Sequence, residues 1–479
     1  MKFLSDLLKT TEIKNLKVTV MGLGLNGGGF ASAHFFAKHG AKVLVTDLRS
    51  REILAPTIEK LSGFDIQYVL GEHKIEDFEN ADLVIKNPAV NPKSPFLKAA
   101  KRIETDISIF LSLCKNPLIT VTGSKGKSTT VSAIYHVIKE VYPNARLGGN
   151  ITMSPLSFID DLEENAPVVL ELSSWQLADI KNMKTFKPPV TAITNIYPDH
   201  LDRYGSMEEY VADKQIIYQN QGTGDFTLCY YDDSWGHLFA SETKAKAFFF
   251  SKYKLPKEMD GAWLEESGAG FIKHNGKTEA ILPEKVKMSG AHNRINLLAA
   301  GVALYLFGLC GQKARLSDNG AGLKSEVIAK HLSEFGGIAH RMEFLRQING
   351  VDFYNDTAAT IPQAVIAAAE SFSSPVRLIS GGTDKNIDFV VLDKLKGKTE
   401  SMYLLSGTAT DKMIPFLNEY GIPWTGPFNS LEEATETAFK ESKSGDVIIM
   451  SPGCTSFGMF KNEFDRGNRF KEIVNNLRT

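Results

Sequence analysis

The chain has 479 residues, 43% of them hydrophobic and 23% charged, with a net charge of −2. That length suggests about three domains with full apolar cores, and the near-neutral balance argues against a broad nucleic-acid or membrane-surface footprint. Cys114, Cys229, Cys310 and Cys454 lie far apart and form no Cys-x-x-Cys pair, which argues against a disulfide framework or zinc ribbon and fits a reducing cytoplasm. Neither a signal-peptide pattern nor an apolar run long enough for a bilayer is evident.

Strand-like and helix-like stretches alternate through most of the chain, so the expected fold class is α/β, in three domains over 1–106, 107–338 and 339–479. The first domain opens with an apolar, β-branched run at 16–21 and continues with strands at 42–47 and 83–86. After the first run, Gly22-Leu23-Gly24-Leu25-Asn26-Gly27 fits G-x-G-x-x-G, and Asp47 ends the next strand. Such glycines allow a tight turn and close approach of a phosphate, and such an acid suits a ribose. The same geometry suits NAD or another nucleotide diphosphate. A nicotinamide-dependent dehydrogenase, a UDP-sugar binder and a turn that binds nothing all remain open from this domain alone. The prolines within 87–92 forbid a helix there.

The second domain carries the sharpest signal. Leu118-Ile119-Thr120-Val121 leads into Thr122-Gly123-Ser124-Lys125-Gly126-Lys127-Ser128-Thr129, and an apolar-periodic stretch follows at 131–141. Two glycines let backbone N–H groups turn toward a phosphate, and the new helix points its positive end at the same place. Lys127 adds a point charge, and Ser128 can bring a hydroxyl to Mg²⁺. The loop is shorter than the common phosphate loop, but a nucleoside triphosphate is the expected ligand.

Strands at 168–172 and 190–195 come next. Glu171 sits near the tip of the first, where a buried carboxylate needs a cation or a donor; it reads as a Mg²⁺ ligand or a helix cap. Asp199-His200-Leu201-Asp202-Arg203 crowds charge into the loop after the second, as a metal or phosphate site would. Lys214, in a helix at 207–218, reads by itself as a solvated lysine. Residues 225–283 read as an antiparallel excursion. Gly290-Ala291-His292-Asn293-Arg294-Ile295-Asn296 opens an Ala/Leu helix with two asparagines on one face, for polar recognition or capping. In the third domain, strands at 351–354, 376–380, 402–406 and 446–450 predict another doubly wound sheet.

In this order, these segments resemble the Mur ligase family, the ATP-dependent amino-acid ligases of peptidoglycan precursor synthesis. Gly148-Gly149-Asn150, His340-Arg341, Asn355-Asp356, Gly381 to Lys385 and Ser451 to Gly467 complete the likeness, which covers nearly the whole chain. It implies a Rossmann-like UDP-binding domain, a central P-loop ATPase-like domain and a C-terminal Rossmann-like amino-acid-binding domain, in a cytoplasmic monomer that inserts into no membrane. The implied reaction adds D-glutamate to UDP-N-acetylmuramoyl-L-alanine through an acyl phosphate, using ATP and two Mg²⁺ ions. The dehydrogenase reading then explains only the first loop.

The resemblance also implies roles. Leu25, Asn26, Asp47 and Arg49 would face the uridine diphosphate, and Asn150 the same substrate. Gly123, Ser124, Lys125, Gly126, Lys127, Ser128 and Thr129 would hold ATP together with Asn293, Arg341 and Asp356. Ser128 and Glu171 would serve one Mg²⁺; His200 and a carbamylated Lys214 would serve the other. Thr360, Lys385, Ser456 and Phe464 would hold the incoming amino acid. Two segments depart from the family pattern. Ala358 stands where a lysine is common, and Lys461-Asn462-Glu463-Phe464 stands where Lys-Asn-Phe-Glu is common. Both fall on amino-acid recognition. L-Glutamate, another acidic amino acid, or the substrate of a different Mur or folylpolyglutamate-type ligase therefore stays open.

Overall fold

The computed structural model describes residues 13–478 apart from 25, 26, 89, 152, 199–203, 289, 312–315, 317, 319, 385, 386 and 457. The chain divides into two compact units, one of residues 1–285 and 295–332, the other of 286–294 and 333–479.

The first unit contains two sheets. Strands β1 (Lys17–Met21), β2 (Lys42–Asp47), β3 (Ile66–Leu70), β4 (Leu83–Lys86) and β5 (Ile103–Glu104) are all parallel, in the order β3-β2-β1-β4-β5. The order reverses between β1 and β4, where doubly wound sheets leave a crevice beyond the strand ends. Helix α1 (Gly28–Lys38) follows the first glycine loop. Helix α2 (Asp106–Leu113), started by a Thr105–Ser108 capping box, leads to the second sheet.

That sheet is built from β6 (Leu118–Thr122), β7 (Arg146–Gly149), β8 (Val168–Glu171), β9 (Val190–Ile193), β10 (Phe226–Tyr230), β11 (Lys246–Ser251), β12 (Gly261–Leu264), β13 (Gly270–His274) and β14 (Lys277–Leu282). Its order is β14-β13-β12-β11-β10-β9-β6-β8-β7. Strand β6 lies between β8 and β9, and all three are buried along their length, as the apolar runs of an interior parallel sheet require. Helices α3 (Lys127–Val141), α4 (Ser174–Asp179) and α5 (Met207–Gln215) follow β6, β8 and β9.

The expected antiparallel excursion over 225–283 is too broad. Strands β10 and β11 continue the parallel sheet, because the helix Ser234–Glu242 between them supplies a crossover. Strand β12 also runs parallel to β11, and only the β12–β13 and β13–β14 pairings are antiparallel. Asn275 and Gly276, both at positive φ, close the last hairpin.

One cluster of buried side chains joins the two sheets. It runs from Val20 and Phe36 through Ile107 and Phe110 to Phe158 and Leu170. Phe110 and Phe158 meet edge to face at 5.7 Å. Lys86, at the end of β4, reaches Asp179, at the end of α4, at 2.7 Å.

Helix α6 (Ala291–Leu309) begins in the second unit and continues in the first. The second unit's sheet holds β15 (Glu343–Ile348), β16 (Val351–Asn355), β17 (Val376–Gly381), β18 (Thr399–Leu405), β19 (Trp424–Phe428) and β20 (Val447–Met450). Their order is β15-β16-β20-β17-β18-β19, parallel except for β15. The four expected strands are present. The two extra strands, β15 and β19, form the edges. Helix α7 (Glu463–Asn476) is capped by the Asn462 side chain, which accepts from the Asp465 N–H.

Candidate active site

Parallel strands β6, β8 and β9 end at one edge, with Val121 opposite Glu171 and Thr122 opposite Ile193. That register gathers the Gly123–Gly126 loop, Glu171 and the Thr194–Asn195 segment. Gly123 has φ +140°, and a Cβ there would lie 2.0 Å from Thr194 Oγ1. Gly126, at φ +84°, is the left-handed residue that starts α3, and a Cβ there would lie 2.2 Å from Asn296 Oδ1. Both glycines are therefore dictated by backbone conformation and by crowding.

The neighbouring segment holds the loop in shape. Asn195 Oδ1 accepts from Lys125 N–H at 2.9 Å, and its Nδ2 donates to Lys125 O at 3.0 Å. Thr194 Oγ1 donates to the same carbonyl at 2.6 Å. Ser124 N–H donates to Asn195 O, while Ser124 Oγ contacts Tyr197 O and Tyr210 Oη at 3.0 Å each. Lys127 Nζ donates to the carbonyls of Gly123 and Ser124, at 3.0 and 2.9 Å. No local motif marks Thr194 or Asn195 as supports of this loop, and Asn296 stands out in the sequence only as one of two asparagines on a helix face. Their roles depend on which strand ends lie side by side.

Lys214 corrects its solvated reading. It is 1% exposed, and its Nζ donates to Gly123 O at 2.9 Å and lies 4.5 Å from the Tyr210 ring centroid. Glu171 is also 1% exposed. Its Oε1 accepts from Asn150 Nδ2 at 2.9 Å, and its Oε2 has no hydrogen-bond partner among the described residues. The helix-cap reading of Glu171 fails, because Ser173 caps α4 through the Gln176 N–H. A buried carboxylate oxygen left without a donor, beside a phosphate-type loop, suits a hard cation. Ser128 is half-buried in the first turn of α3.

At the first sheet, Gly22, Gly24 and Gly27 all adopt positive φ, as the fingerprint requires. The tight helix–strand approach falls on Gly29, where a Cβ would lie 2.2 Å from Gly22 O. Asp47 is buried and accepts from Gly24 N–H at 3.1 Å and Arg49 N–H at 2.9 Å. It therefore ties the glycine loop to the loop after β2. The Arg49 guanidinium lies 3.7 Å from the same carboxylate and stays half exposed.

In the second unit, β16, β20 and β17 are adjacent and their following loops are cross-linked. Gly453 N–H donates to Ala359 O, and Thr383 and Thr455 exchange backbone bonds. Asp356 is buried; it accepts from Met342 N–H at 3.1 Å and from Ser451 Oγ at 2.9 Å. Burial raises its carboxyl to a pKa of about 6, against the pull of those bonds and of Arg341. Arg341 is exposed, Thr360 half-buried and Ser456 buried. Phe464 is 50% exposed, with its ring 5.6 Å from that of His340. Asn293 lies in this unit, in the first turn of α6. Leu25, Asn26, His200 and Lys385 lie outside the described residues.

Residues 121–304 match the Mur ligase middle domain, and residues 16–109 match the Mur ligase MurD-like N-terminal domain. The chain is 41% identical to a UDP-N-acetylmuramoylalanine--D-glutamate ligase from Borreliella afzelii (strain PKo), over 98% of this chain and 100% of that one. It is 39% identical to the ligase of the same description from Treponema pallidum (strain Nichols), over 95% and 97% of the two chains. Among solved structures, a UDP-N-acetylmuramate-alanine ligase from Thermotoga maritima shares the fold at a TM-score of 0.54 and 21% identity, covering 96% of this chain and 99% of its own.

Proposed function

Because this chain belongs to the Mur ligase family, we propose that it joins D-glutamate to the L-alanine carboxylate of UDP-N-acetylmuramoyl-L-alanine at the expense of ATP. The observation that carries this reading is the end-to-end likeness to ligases described by that reaction. Cytoplasmic placement and a monomeric state belong to the same proposal.

A carboxylate is a poor acyl donor at neutral pH, since oxide would have to leave. Transfer of the γ-phosphoryl group to it creates an acyl phosphate. The glutamate amine then attacks the carbonyl carbon, the C–O bond to phosphate breaks, and a proton leaves the new amide nitrogen. The loop from Gly123 to Thr129 offers its N–H groups and the Lys127 ammonium to the phosphates, and the family resemblance assigns Asn293, Arg341 and Asp356 to the same nucleotide. Glu171 Oε2 and the Ser128 hydroxyl suit one Mg²⁺, which when bound neutralises phosphate charge. His200 and Lys214 are assigned to a second ion; carbamylation would give Lys214 the carboxylate oxygens its amine lacks. Leu25, Asn26, Asp47, Arg49 and Asn150 hold the nucleotide-sugar substrate, and Thr360, Lys385, Ser456 and Phe464 hold glutamate.

Phosphate release from ATP, measured with UDP-N-acetylmuramoyl-L-alanine and either D- or L-glutamate, tests the reading. Release with the D isomer is expected. No release with either rejects the assignment, and release with L-glutamate alone corrects its stereochemistry.

A further inference from the structure

Arg466 is the largest fully buried side chain of the second unit, at 0% exposure. Its Nε donates to Thr357 Oγ1 at 2.9 Å, its Nη2 to Thr357 O at 3.0 Å and its Nη1 to Cys454 O at 3.5 Å. Thr357 follows β16, and Cys454 follows β20. One guanidinium therefore bridges the two loops that hold Thr360 and Ser456. Thr357 Oγ1 also donates to Glu463 O at 3.1 Å, which fixes the start of α7 to the same point.

The partners are notable for their charge. All three acceptors are a hydroxyl or backbone carbonyls, and among the described residues no carboxylate forms an ion pair with Arg466. Glu463, three residues earlier on α7, acts on it only through space. A buried cation without an opposite charge is costly, and the cost shows as a guanidinium pKa lowered to about 10 by burial. Such a site gains most from an anion that arrives with a ligand. In open α/β sheets ligands settle beyond the strand ends, which is where these loops lie.

We propose that Arg466 is a positioning residue for the incoming amino acid: it locks the loops after β16 and β20 together, and its buried positive charge favours a dicarboxylate over a neutral side chain. This rests on the ligase reading above. The guanidinium is too enclosed to touch the ligand, so its charge acts across the loop it holds. The effect is on selectivity and on amino-acid affinity rather than on ATP.

The test compares glutamate with glutamine as acceptor, for the parent chain, Arg466→Lys and Arg466→Met, with KM for ATP measured alongside. Arg466→Met should lower the preference for glutamate over glutamine by about tenfold and raise KM for glutamate, with KM for ATP unchanged. Arg466→Lys keeps the charge but not the planar fork, so it should retain most of the preference while still raising KM for glutamate. Thr357→Val serves as a second route, since it removes the hydroxyl acceptor and keeps the cation; it should raise KM for glutamate and leave the preference intact. An unchanged glutamate preference in Arg466→Met, or an equal rise in KM for ATP, would overturn the role of Arg466 while leaving the ligase reading in place. Loss of folding in Arg466→Met, together with an unaltered KM for glutamate in Thr357→Val, would overturn it too. No turnover by the parent chain overturns both.

Discussion

Gly123 presents one carbonyl oxygen to two ammonium groups, those of Lys127 and Lys214. Replacing Lys214 by Ala empties a buried position beside the phosphate loop. Turnover should fall by roughly a hundredfold or more, and a small added carboxylate should restore part of it if the lysine acts as a carbamate. Unchanged turnover would leave Lys214 as a structural donor only. Asp356 makes a different prediction. Its folded pKa of about 6 lies above its ordinary value of 3.8, so the folded state prefers the protonated acid. The stability it contributes is complete below about pH 4 and is lost as pH rises through 6. Asp356→Asn should therefore be more stable than the parent at pH 8, by up to about 3 kcal/mol, and lose that advantage toward pH 4. Thermal melts across pH check this; a gain that does not depend on pH would show that ionisation of Asp356 costs the fold nothing. Lys214 was legible only in part. Its helix buries Tyr210, Val211 and Lys214 on one face, an i, i+4 pattern, but nothing in that pattern says the face meets a phosphate loop.

At the scale of elements, the loop between β6 and α3 depends on two glycines whose space is already taken. Gly126→Ala would bring a methyl group into Asn296 at a positive φ, costing about 1–3 kcal/mol. Nucleotide affinity should weaken along with the melting temperature. Pairing it with Asn296→Ala relieves the overlap but not the backbone strain, so only part of the loss should return. Full recovery in the pair would show that the strain carries no cost. Strands β1, β2, β4, β6, β8, β9, β16, β17, β18 and β20 could be read from their apolar runs, because interior parallel strands are buried on both faces, whereas β10 and β11 fell within the stretch read as antiparallel. The edge strands β15 and β19 could not. Glu343-Phe344-Leu345-Arg346-Gln347-Ile348 mixes polar and apolar residues on a half-exposed strand, and the Asn349-Gly350 turn that pairs it with β16 was the one available cue. The supports of the candidate site were hidden for a related reason. Asn195 grips Lys125 because β9 and β6 end together, a fact of sheet order that no local motif encodes.

The whole first unit depends on a seam between its two sheets. Lys86 and Asp179 lie in that seam with side chains 7% and 14% exposed. Lys86→Met would remove the cation from a buried carboxylate and should destabilise the unit by about 3–5 kcal/mol. Adding Asp179→Leu should recover most of that loss, as measured by a double-mutant cycle in denaturant. Additive losses would mean that the two side chains act separately.

The second unit is not a contiguous stretch of chain. Residues 286–294 belong to it although residues 295–332 return to the first unit. Lys287 N–H donates to Ser333 O, and buried Met288 lies under Gly337. A fragment that starts at residue 333 would thus lack a piece of its own interior. It should express poorly unless a peptide covering 286–294 is supplied in trans. A nick near residue 312 would leave residues 286–294 of the second unit on one half and the stretch up to 332 of the first unit on the other, so the halves should stay associated.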